Sequence, residues 1–279
     1  MKLDLIDVFC NGPLSGNPLG VVQGGDTLSA NQMLAITRWL GFSETTFLLP
    51  PTDPAADYRV RIFYPAGELP FAGHPTLGSA HAWLAAGGVP RGPGTIAQEC
   101  GVGLVEVRQE DARLAFRAPP LIRSGPLSDD EFAEALRVSG VDAARVVEAV
   151  HIANGPNWVL LRMDSAEAVL AAEPAARAAP GTDVGLAGPC AAGAAADWEI
   201  RAFFTKGLGE VVEDPVTGSF NAGVAMHLFS SGLAADRYVA AQGRKTGADG
   251  KVYAALDDAG VWIGGQVRTV SAGGKITLP

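Results

Sequence analysis

Two titratable residues, His74 and Asp214, each stand directly before a proline and a run of small and apolar residues. Proline is favoured in the first turn of a helix, so each segment predicts a helix that begins beside a titratable side chain. The N–H groups of a first turn lack partners within their helix, and the helix dipole adds partial positive charge there. We therefore expect the helix starts around Gly78 and Gly218 to bind a small carboxylate. The alternative for His74 is a polar residue that is merely hydrogen-bonded at a turn.

The two segments follow one pattern. Residues 75–82 and 215–222 share the pattern PxxGSxxA at an offset of 140 residues, about half of the chain. No Asp, Glu, Lys or Arg occurs in residues 75–89 or 215–235. A helix that is apolar on all sides must be buried on all sides, so both are predicted to be central helices wrapped by curved sheets. The chain therefore predicts two similar halves whose helix starts face one substrate cleft.

A third candidate, Glu44, lies in the segment GFSETTFLLPP between Phe42 and Phe47. Apolar neighbours would partly desolvate its carboxylate and raise its pKa towards the working pH, which suits a general acid and base. The alternative is an exposed loop acid, or a partner for Ser43 at a helix start. Glu44 is therefore a candidate for proton transfer if the fold brings it to the other two residues.

Alternating residues predict the strands that must carry these candidates. Apolar and charged side chains alternate in residues 58–64, 112–118 and 197–204, which is typical of strands with one buried face. In the last of these strands, Glu199 and Arg201 are expected on the polar face. Frequent glycine and proline indicate tight turns between the strands.

Two surface helices are marked by their caps. Ser29 is placed to cap a helix that Gly41 ends, and Ser128 forms a capping box with Glu131. These caps predict amphipathic helices that begin close to residues 30 and 129.

The composition excludes several classes of protein. Of 279 residues, 48% are apolar and 18% are charged, which is incompatible with a disordered chain. A net charge of −9 without a basic run argues against nucleic acid or an anionic membrane as a partner. The first apolar stretch contains acidic residues, and no run reaches the ~20 apolar residues of a membrane span, so we expect a cytoplasmic protein.

No sequence motif indicates a bound metal or nucleotide. The cysteines Cys10, Cys100 and Cys190 are far apart, and no cluster of cysteine, histidine or carboxylate residues has metal-site spacing. Neither a GxGxxG nor a P-loop motif occurs. We therefore expect no metal and no cofactor, and a small-molecule substrate as the partner.

The chain resembles the PhzF-like proteins of phenazine biosynthesis in five segments: GNPLGVV, FSETTFLLPP, RIFYPAGELPFAGHPTLGSAHAWL, VVEDPVTGSFNAGVAMHL and VWIGGQV. The resemblance implies the diaminopimelate epimerase-like fold, an α+β fold of two pseudo-symmetric domains. Each domain is then a curved β-sheet or barrel around a central buried helix. The C-terminal strands are expected to return to the first domain, which gives domains at 1–118 plus 265–279 and at 119–264. A homodimer is also implied.

The same resemblance assigns roles to particular residues. It implies cofactor-free isomerisation of a dihydro-hydroxyanthranilate by proton transfer. The matching catalytic residues are Glu44 in the SET motif, His74 in GHP and Asp214 in EDP. The residues predicted to bind substrate are Gly73, Thr76, Thr217, Gly218 and Ser219. The segment AQGRKTGADGKV departs from the family's QG…GR pattern, which leaves the identity of the substrate open.

The resulting hypothesis is a small acid or amino acid held at the helix starts while Glu44 moves a proton from one carbon to another. Three alternatives stay open. The first is epimerisation or elimination on another amino acid by the same fold. The second is a racemase with two thiols, which the cysteine-free segments GHPTLG and DPVTGS disfavour. The third is a ligand-binding module without enzymatic activity, because a fold does not determine a function.

Overall fold

The computed structural model describes residues 1–277 and divides the chain into two compact units. The first unit takes Met1–Arg117 and the chain from Gly264 on, and the second unit takes Ala118–Ile263. Residues 278 and 279, which the sequence analysis assigns to the first domain, lie outside the described residues.

The first unit is mainly β-structure with two helices. Its helices are α1 (Ala30–Leu40) and α2 (Gly73–Ala85). Its strands are β1 (Lys2–Val8), β2 (Asn17–Gln23), β3 (Thr45–Leu49), β4 (Tyr58–Tyr64), β5 (Gly67–Leu69), β6 (Thr95–Cys100), β7 (Gly103–Glu110) and β8 (Arg113–Arg117).

The second unit has the same mixture of elements. Its helices are α3 (Asp129–Ser139), α4 (Ala166–Ala171) and α5 (Gly218–Ser230), with a 3-10 turn at Ala143–Arg145. Its strands are β9 (Arg123–Pro126), β10 (Val146–Ala153), β11 (Val159–Met163), β12 (Asp183–Pro189), β13 (Trp198–Lys206), β14 (Glu210–Asp214), β15 (Arg237–Gln242) and β16 (Gly250–Asp257). A long strand, β17 (Gly260–Lys275), begins in this unit and continues in the first, where Val267–Lys275 pairs antiparallel with β1.

The strand pairing of the first unit repeats in the second. The antiparallel pairs β1–β2, β3–β4, β4–β5 and β6–β7 correspond to β10–β11, β12–β13, β13–β14 and β15–β16. The parallel pairs β2–β3 and β4–β6 correspond to β11–β12 and β13–β15. The eight-residue repeat in the sequence therefore reflects a repeated topology, and the expected α+β fold of two pseudo-symmetric halves is confirmed.

Helices α2 and α5 are the buried helices of the two units. Helix α2 packs against β1–β4 and β6–β8, and every residue from Gly73 to Ala80 is buried. In α5, every residue from Phe220 to Ala225 is buried. Charged side chains are excluded from such surroundings because an unpaired charge would be desolvated. The prediction of two central helices is confirmed, although the last residue of each helix is exposed.

One glycine of α5 is required by close packing, which leads to a stability prediction. A Cβ atom at Gly223 would lie 2.5 Å from the backbone oxygen of Ile152. Alanine normally stabilises a helix by about 1 kcal/mol relative to glycine, but overpacking costs about 1–3 kcal/mol, and a backbone oxygen cannot rotate away. We expect Gly223→Ala to lower the free energy of unfolding by about 1–2 kcal/mol in urea titrations.

Gly155 provides the control for this change because a Cβ atom there would meet nothing within 4 Å. Gly155→Ala is expected to leave the free energy of unfolding within about 0.5 kcal/mol of the wild type. Equal effects of the two substitutions would contradict the steric argument.

The surface helices begin and end where their caps predict. Ser29 and Ser128 each accept a hydrogen bond from the third residue of the helix, and both capping boxes are complete. Gly41 ends α1 with a φ of 76°, a left-handed conformation that glycine adopts without strain. No helix within residues 1–277 combines the length and apolarity needed to cross a membrane.

Strand β13 differs from its prediction. Its alternating pattern indicated one polar face, but Glu199 is 0% exposed and Arg201 is 3% exposed. Arg201 donates from Nη1 to the backbone oxygens of Val169 and Ala172, and from Nη2 to Glu213 at 2.8 Å. Arg201 is therefore covered by the end of α4 and its ion pair with Glu213 is internal, so the prediction of a half-buried strand was wrong.

Candidate active site

Glu44 and His74 lie side by side in the first unit. Glu44 directly precedes β3, and His74 is the second residue of α2. The side chains are 18% and 5% exposed, respectively. The Glu44 Oε2 and His74 Nε2 atoms are 3.6 Å apart, which is longer than a hydrogen bond. The fold thus brings together two predicted catalytic residues that are 30 positions apart in sequence.

The imidazole of this pair is neutral near pH 7. Burial lowers the pKa of His74 to about 3, because desolvation disfavours the charged form. The Asn17 Nδ2 group lies 3.5 Å from His74 Nδ1. With the Asn17 amide in this orientation its nitrogen donates, which makes Nδ1 the acceptor and assigns the ring proton to Nε2, the nitrogen that faces Glu44. The arrangement is a carboxylate facing a neutral imidazole N–H, rather than a salt bridge.

Asn17 is a site residue that the sequence analysis did not identify. It is 1% exposed, begins β2 and accepts a 3.5 Å hydrogen bond from Ser43 Oγ at its Oδ1. The available signal was its place in the segment GNPLGVV, where a single amide precedes an apolar strand. Asn17 therefore links the residue next to Glu44 to the ring of His74.

The depressed pKa of His74 predicts a pH dependence of stability. An unfolded histidine titrates near pH 6.5, so below this pH the unfolded chain binds a proton that the folded chain does not. The stabilising contribution is complete above pH 6.5 and is lost as the pH falls towards 3. We expect the free energy of unfolding, measured in urea, to fall when the pH is lowered from 7 to 4.5. This fall should be about 3 kcal/mol larger in the wild type than in His74→Gln. Identical pH profiles would contradict a neutral buried His74.

Helix α2 starts earlier than the repeat predicts. It begins at Gly73, so the N–H group of Gly78 lies beyond the first turn, whereas those of Gly73 and His74 are within it. The prediction that Pro75 opens the helix and that the free N–H groups of its first turn lie around Gly78 was therefore wrong. The N-cap residue, Ala72, supplies no side-chain hydrogen bond, unlike the serine caps of α1 and α3. The first turn of α2 is thus left without a side-chain cap.

Thr76 lies behind this helix start. It is 0% exposed, and its Oγ1 donates to the backbone oxygen of Ala72 at 2.9 Å and accepts from Gln98 Nε2 at 3.0 Å. Both contacts are within the first unit. The hydroxyl is therefore used by the protein itself, and a role for Thr76 in substrate binding stays a prediction.

The second unit brings together Asp214, Thr217, Gly218 and Ser219. Asp214 is the last residue of β14 and is 7% exposed. Thr217 is the N-cap of α5, and its Oγ1 donates to Asp214 Oδ2 at 2.7 Å. Gly218 is the first residue of α5 and Ser219 the second. The carboxylate and the helix start are therefore adjacent in this unit, as the sequence predicts.

Helix α5 starts later than its proline indicates. Pro215 lies in the turn after β14, three positions before the first helical residue. The prediction that this proline opens the helix was therefore wrong. Gln242 explains the later start of the helix, because its side chain accepts a hydrogen bond from the Thr217 N–H group and donates one to the Asp214 carbonyl oxygen. These bonds hold the turn outside the helix.

Two further residues of the second unit support Ser219 and were not identified from the sequence. Trp158 Nε1 donates to Ser219 Oγ at 2.9 Å. Asn154 Nδ2 donates to the Ser219 backbone oxygen at 2.9 Å. The signal for both was the segment NGPNW, a turn that carries two large or polar side chains into an apolar strand. These contacts fix the serine at the start of α5.

The three cysteines lie outside both helix-start segments of the sequence. Burial raises the pKa of Cys10 to about 11 and also raises the pKa values of Cys100 and Cys190. A thiol must ionise to act as a base or nucleophile, so all three are poorly suited to that role. Cys10 is buried, whereas Cys100 and Cys190 are half-buried. In residues 1–277, no group of three His, Cys, Asp or Glu side chains is arranged to hold a metal ion.

Comparisons with known proteins agree on one family. A family model described as phenazine biosynthesis-like protein matches residues 6–275. The trans-2,3-dihydro-3-hydroxyanthranilate isomerase of Pseudomonas chlororaphis is 38% identical over 233 residues, which cover 82% of this chain and 80% of that protein. Antisense-enhancing sequence 1 of Schizosaccharomyces pombe is 38% identical over 172 residues, 59% of this chain and 58% of that protein.

Solved structures extend the likeness to the fold. A predicted epimerase from Pseudomonas aeruginosa superimposes with a TM-score of 0.80 at 26% identity and covers 99% of both chains. The similarity therefore includes both units and all the elements that carry the candidate residues.

Proposed function

This chain belongs to the phenazine biosynthesis-like family and is an isomerase, and from that premise we propose that it moves a proton between two carbon atoms of a small carboxylate. The observation that supports this reaction best is the Glu44 carboxylate, which is mostly buried and faces the neutral Nε2–H group of His74 at 3.6 Å. A mostly buried carboxylate can serve as the base and, once protonated, as the acid for the second step.

In this proposal His74 acts as a neutral hydrogen-bond donor. Its Nε2 atom makes no hydrogen bond within residues 1–277, and its pKa of about 3 keeps the ring uncharged. A neutral imidazole can stabilise an enolate-like oxygen that develops when the neighbouring carbon loses a proton. Glu44 would transfer the proton while His74 stabilises the charge that the transfer creates.

The two uncapped helix starts are proposed to hold anionic groups of the substrate. Gly73 and Gly218 are the first residues of α2 and α5, and neither helix has a side-chain cap. Backbone N–H groups at such positions suit a carboxylate. Ser219 and Asp214 would then bind a hydroxyl or amino group, with Thr217 beside them. That both sets of residues act on one substrate molecule stays a prediction.

Epimerisation is a second candidate because the neighbour in Pseudomonas aeruginosa is described as a predicted epimerase. An epimerase returns the proton to the same carbon on the opposite face and so needs a second acid on that face. An isomerase that returns the proton to another carbon can work with Glu44 alone. The product therefore separates the two reactions.

We propose trans-2,3-dihydro-3-hydroxyanthranilate as the first substrate to test, because 38% identity to an isomerase of that name extends over 233 residues. The purified chain would be incubated in D₂O with this compound and with a panel of small amino and hydroxy acids, followed by NMR. A shifted double bond would support the proposal, and an inverted centre would favour epimerisation. Loss of water would indicate elimination, and no change in any compound would favour a ligand-binding module. Exchange and product must both be followed, because an enclosed base can return the same proton.

The homodimer implied by the resemblance stays a prediction.

A further inference from the structure

A buried glutamine of the second unit uses all of its hydrogen-bonding capacity on the residues around Asp214. Gln242 is 0% exposed and ends β15. Its Nε2 donates to the Asp214 backbone oxygen at 3.2 Å and to Thr217 Oγ1 at 2.9 Å. Its Oε1 accepts from the Thr217 N–H group at 3.0 Å and from Asn221 Nδ2 at 2.8 Å. Two donated and two accepted bonds saturate a carboxamide.

These bonds determine the orientation of the amide. A flipped amide would place an NH₂ group against the Thr217 N–H and the Asn221 amide, and would place an oxygen against the Asp214 carbonyl. Each of these contacts would be repulsive, so only one orientation is compatible with the surroundings. The Nε2 group of Gln242 is therefore directed at the Thr217 hydroxyl.

The orientation of Gln242 also determines where the Thr217 hydroxyl points. A threonine hydroxyl carries a single proton. Because Oγ1 accepts from Gln242, this proton is directed along the 2.7 Å contact to Asp214 Oδ2. Gln242 thus holds Asp214 at two places, through its backbone oxygen and, by way of Thr217, through its carboxylate.

The first unit contains the same pair of residue types, but its threonine hydroxyl donates to a different kind of acceptor. Gln98 lies on β6, which pairs in parallel with β4 as β15 does with β13. Its Nε2 donates to Thr76 Oγ1 at 3.0 Å, but Thr76 Oγ1 donates to the backbone oxygen of Ala72. Both units therefore pair a buried glutamine with a threonine, although Thr76 and Thr217 stand at neighbouring rather than matching positions of the eight-residue repeat. Of these two pairs, the one in the second unit directs its hydroxyl proton to a carboxylate.

We propose that Gln242 is a positioning residue for the reaction, which acts through Thr217 to hold the Asp214 carboxylate in the orientation that meets the substrate. This inference rests on the proposed function, in which Asp214 contacts the substrate. Gln242 lies outside the SET, GHP and EDP motifs. The Thr217 hydroxyl, which we call the relay, connects Gln242 to the Asp214 carboxylate through two hydrogen bonds. The Gln98–Thr76 pair provides the comparison, because its hydroxyl proton goes to a backbone oxygen rather than to a carboxylate.

The first test compares two equally buried glutamines. Gln242→Met keeps the length of the side chain and removes its four hydrogen bonds. We expect kcat for trans-2,3-dihydro-3-hydroxyanthranilate to fall by about 10–100-fold, with KM changed less than about threefold, because a misplaced group slows the reaction more than it weakens binding. Gln98→Met is expected to lower stability comparably but to change kcat less than about threefold. An equal loss of kcat in both variants would overturn the proposal.

Thr217→Val provides a second test that leaves the other Gln242 contacts in place. It removes the relay hydroxyl while it keeps the shape of the side chain. We expect a loss of kcat similar to that of Gln242→Met, and no further loss when both substitutions are combined, because residues that act as a unit are not additive. A Thr217→Val enzyme with wild-type kcat would overturn the relay, even if Gln242→Met fails to fold.

A crystal structure separates failure of this inference from failure of the proposed function. If the wild type converts none of the tested compounds, the proposed function fails and the kinetic comparisons do not apply. The structure of Gln242→Met, or of Thr217→Val if the first does not fold, then decides. Asp214 with a displaced carboxylate supports positioning, and a carboxylate that keeps its wild-type place overturns it.

Discussion

Replacing Glu44 by glutamine is expected to lower kcat by about 10²–10⁴-fold, with a small change in KM. Glutamine keeps the shape of the side chain, but an amide neither accepts nor releases a proton at the working pH. The loss should be large because Glu44 is 18% exposed and faces His74, so bulk water is poorly placed to replace it. NMR of trans-2,3-dihydro-3-hydroxyanthranilate, or of whichever compound the wild type converts, would measure the rate.

Glu68→Gln is the matched control for this substitution. It removes the same charge from the same unit, but Glu68 is a surface residue with a side chain that is 41% exposed, paired with Arg61 at 2.6 Å. Exposed ion pairs contribute about 0–1 kcal/mol to stability, so kcat should stay within about twofold of the wild type. Full activity of Glu44→Gln would show that Glu44 does not transfer the proton, and the proposed reaction would need another base.

Asp214→Asn is expected to lower kcat/KM by about 10²-fold, because the substitution removes a negative charge from a largely buried position next to the start of α5. Asparagine keeps the shape and one acceptor oxygen, so the Thr217 hydroxyl can retain a partner. The effect should therefore reflect the missing charge more than a disturbed turn. Initial rates over a range of substrate concentrations would measure it.

Asp236→Asn controls for the loss of an acidic residue from the second unit. The Asp236 side chain is 66% exposed, and its contact with Arg237 is a surface ion pair. We expect kcat/KM to remain within about twofold of the wild type. If Asp214→Asn behaves like this surface variant, the charge of Asp214 does not contribute to the reaction. The positioning of its carboxylate by Gln242 would then not contribute either.

The sequence itself determined the elements whose causes are local. The caps at Ser29 and Ser128 are contacts between residues three positions apart, so their residue types alone identify them. The absence of charge from residues 75–89 and 215–235 identified both central helices, because burial on all sides excludes unpaired charges. The resemblance to the PhzF-like motifs then predicts catalytic roles for Glu44, His74 and Asp214, which spacing alone leaves with alternatives.

The tertiary structure decided the properties that depend on distant residues. Alternation on β13 did not reveal that Glu199 and Arg201 are buried, because burial depends on distant segments: Arg201 donates to the backbone of Val169 and Ala172, about 30 residues earlier. The helix starts were misplaced by the repeat because each is set by its surroundings, and in α5 by Gln242, 25 positions after Thr217. The neutral state of His74 likewise depends on burial, and the orientation of its ring on Asn17, 57 positions away. Composition and spacing select the groups that can do chemistry, whereas packing sets their protonation, orientation and partners, because desolvation and hydrogen bonding act between residues that only the fold brings together.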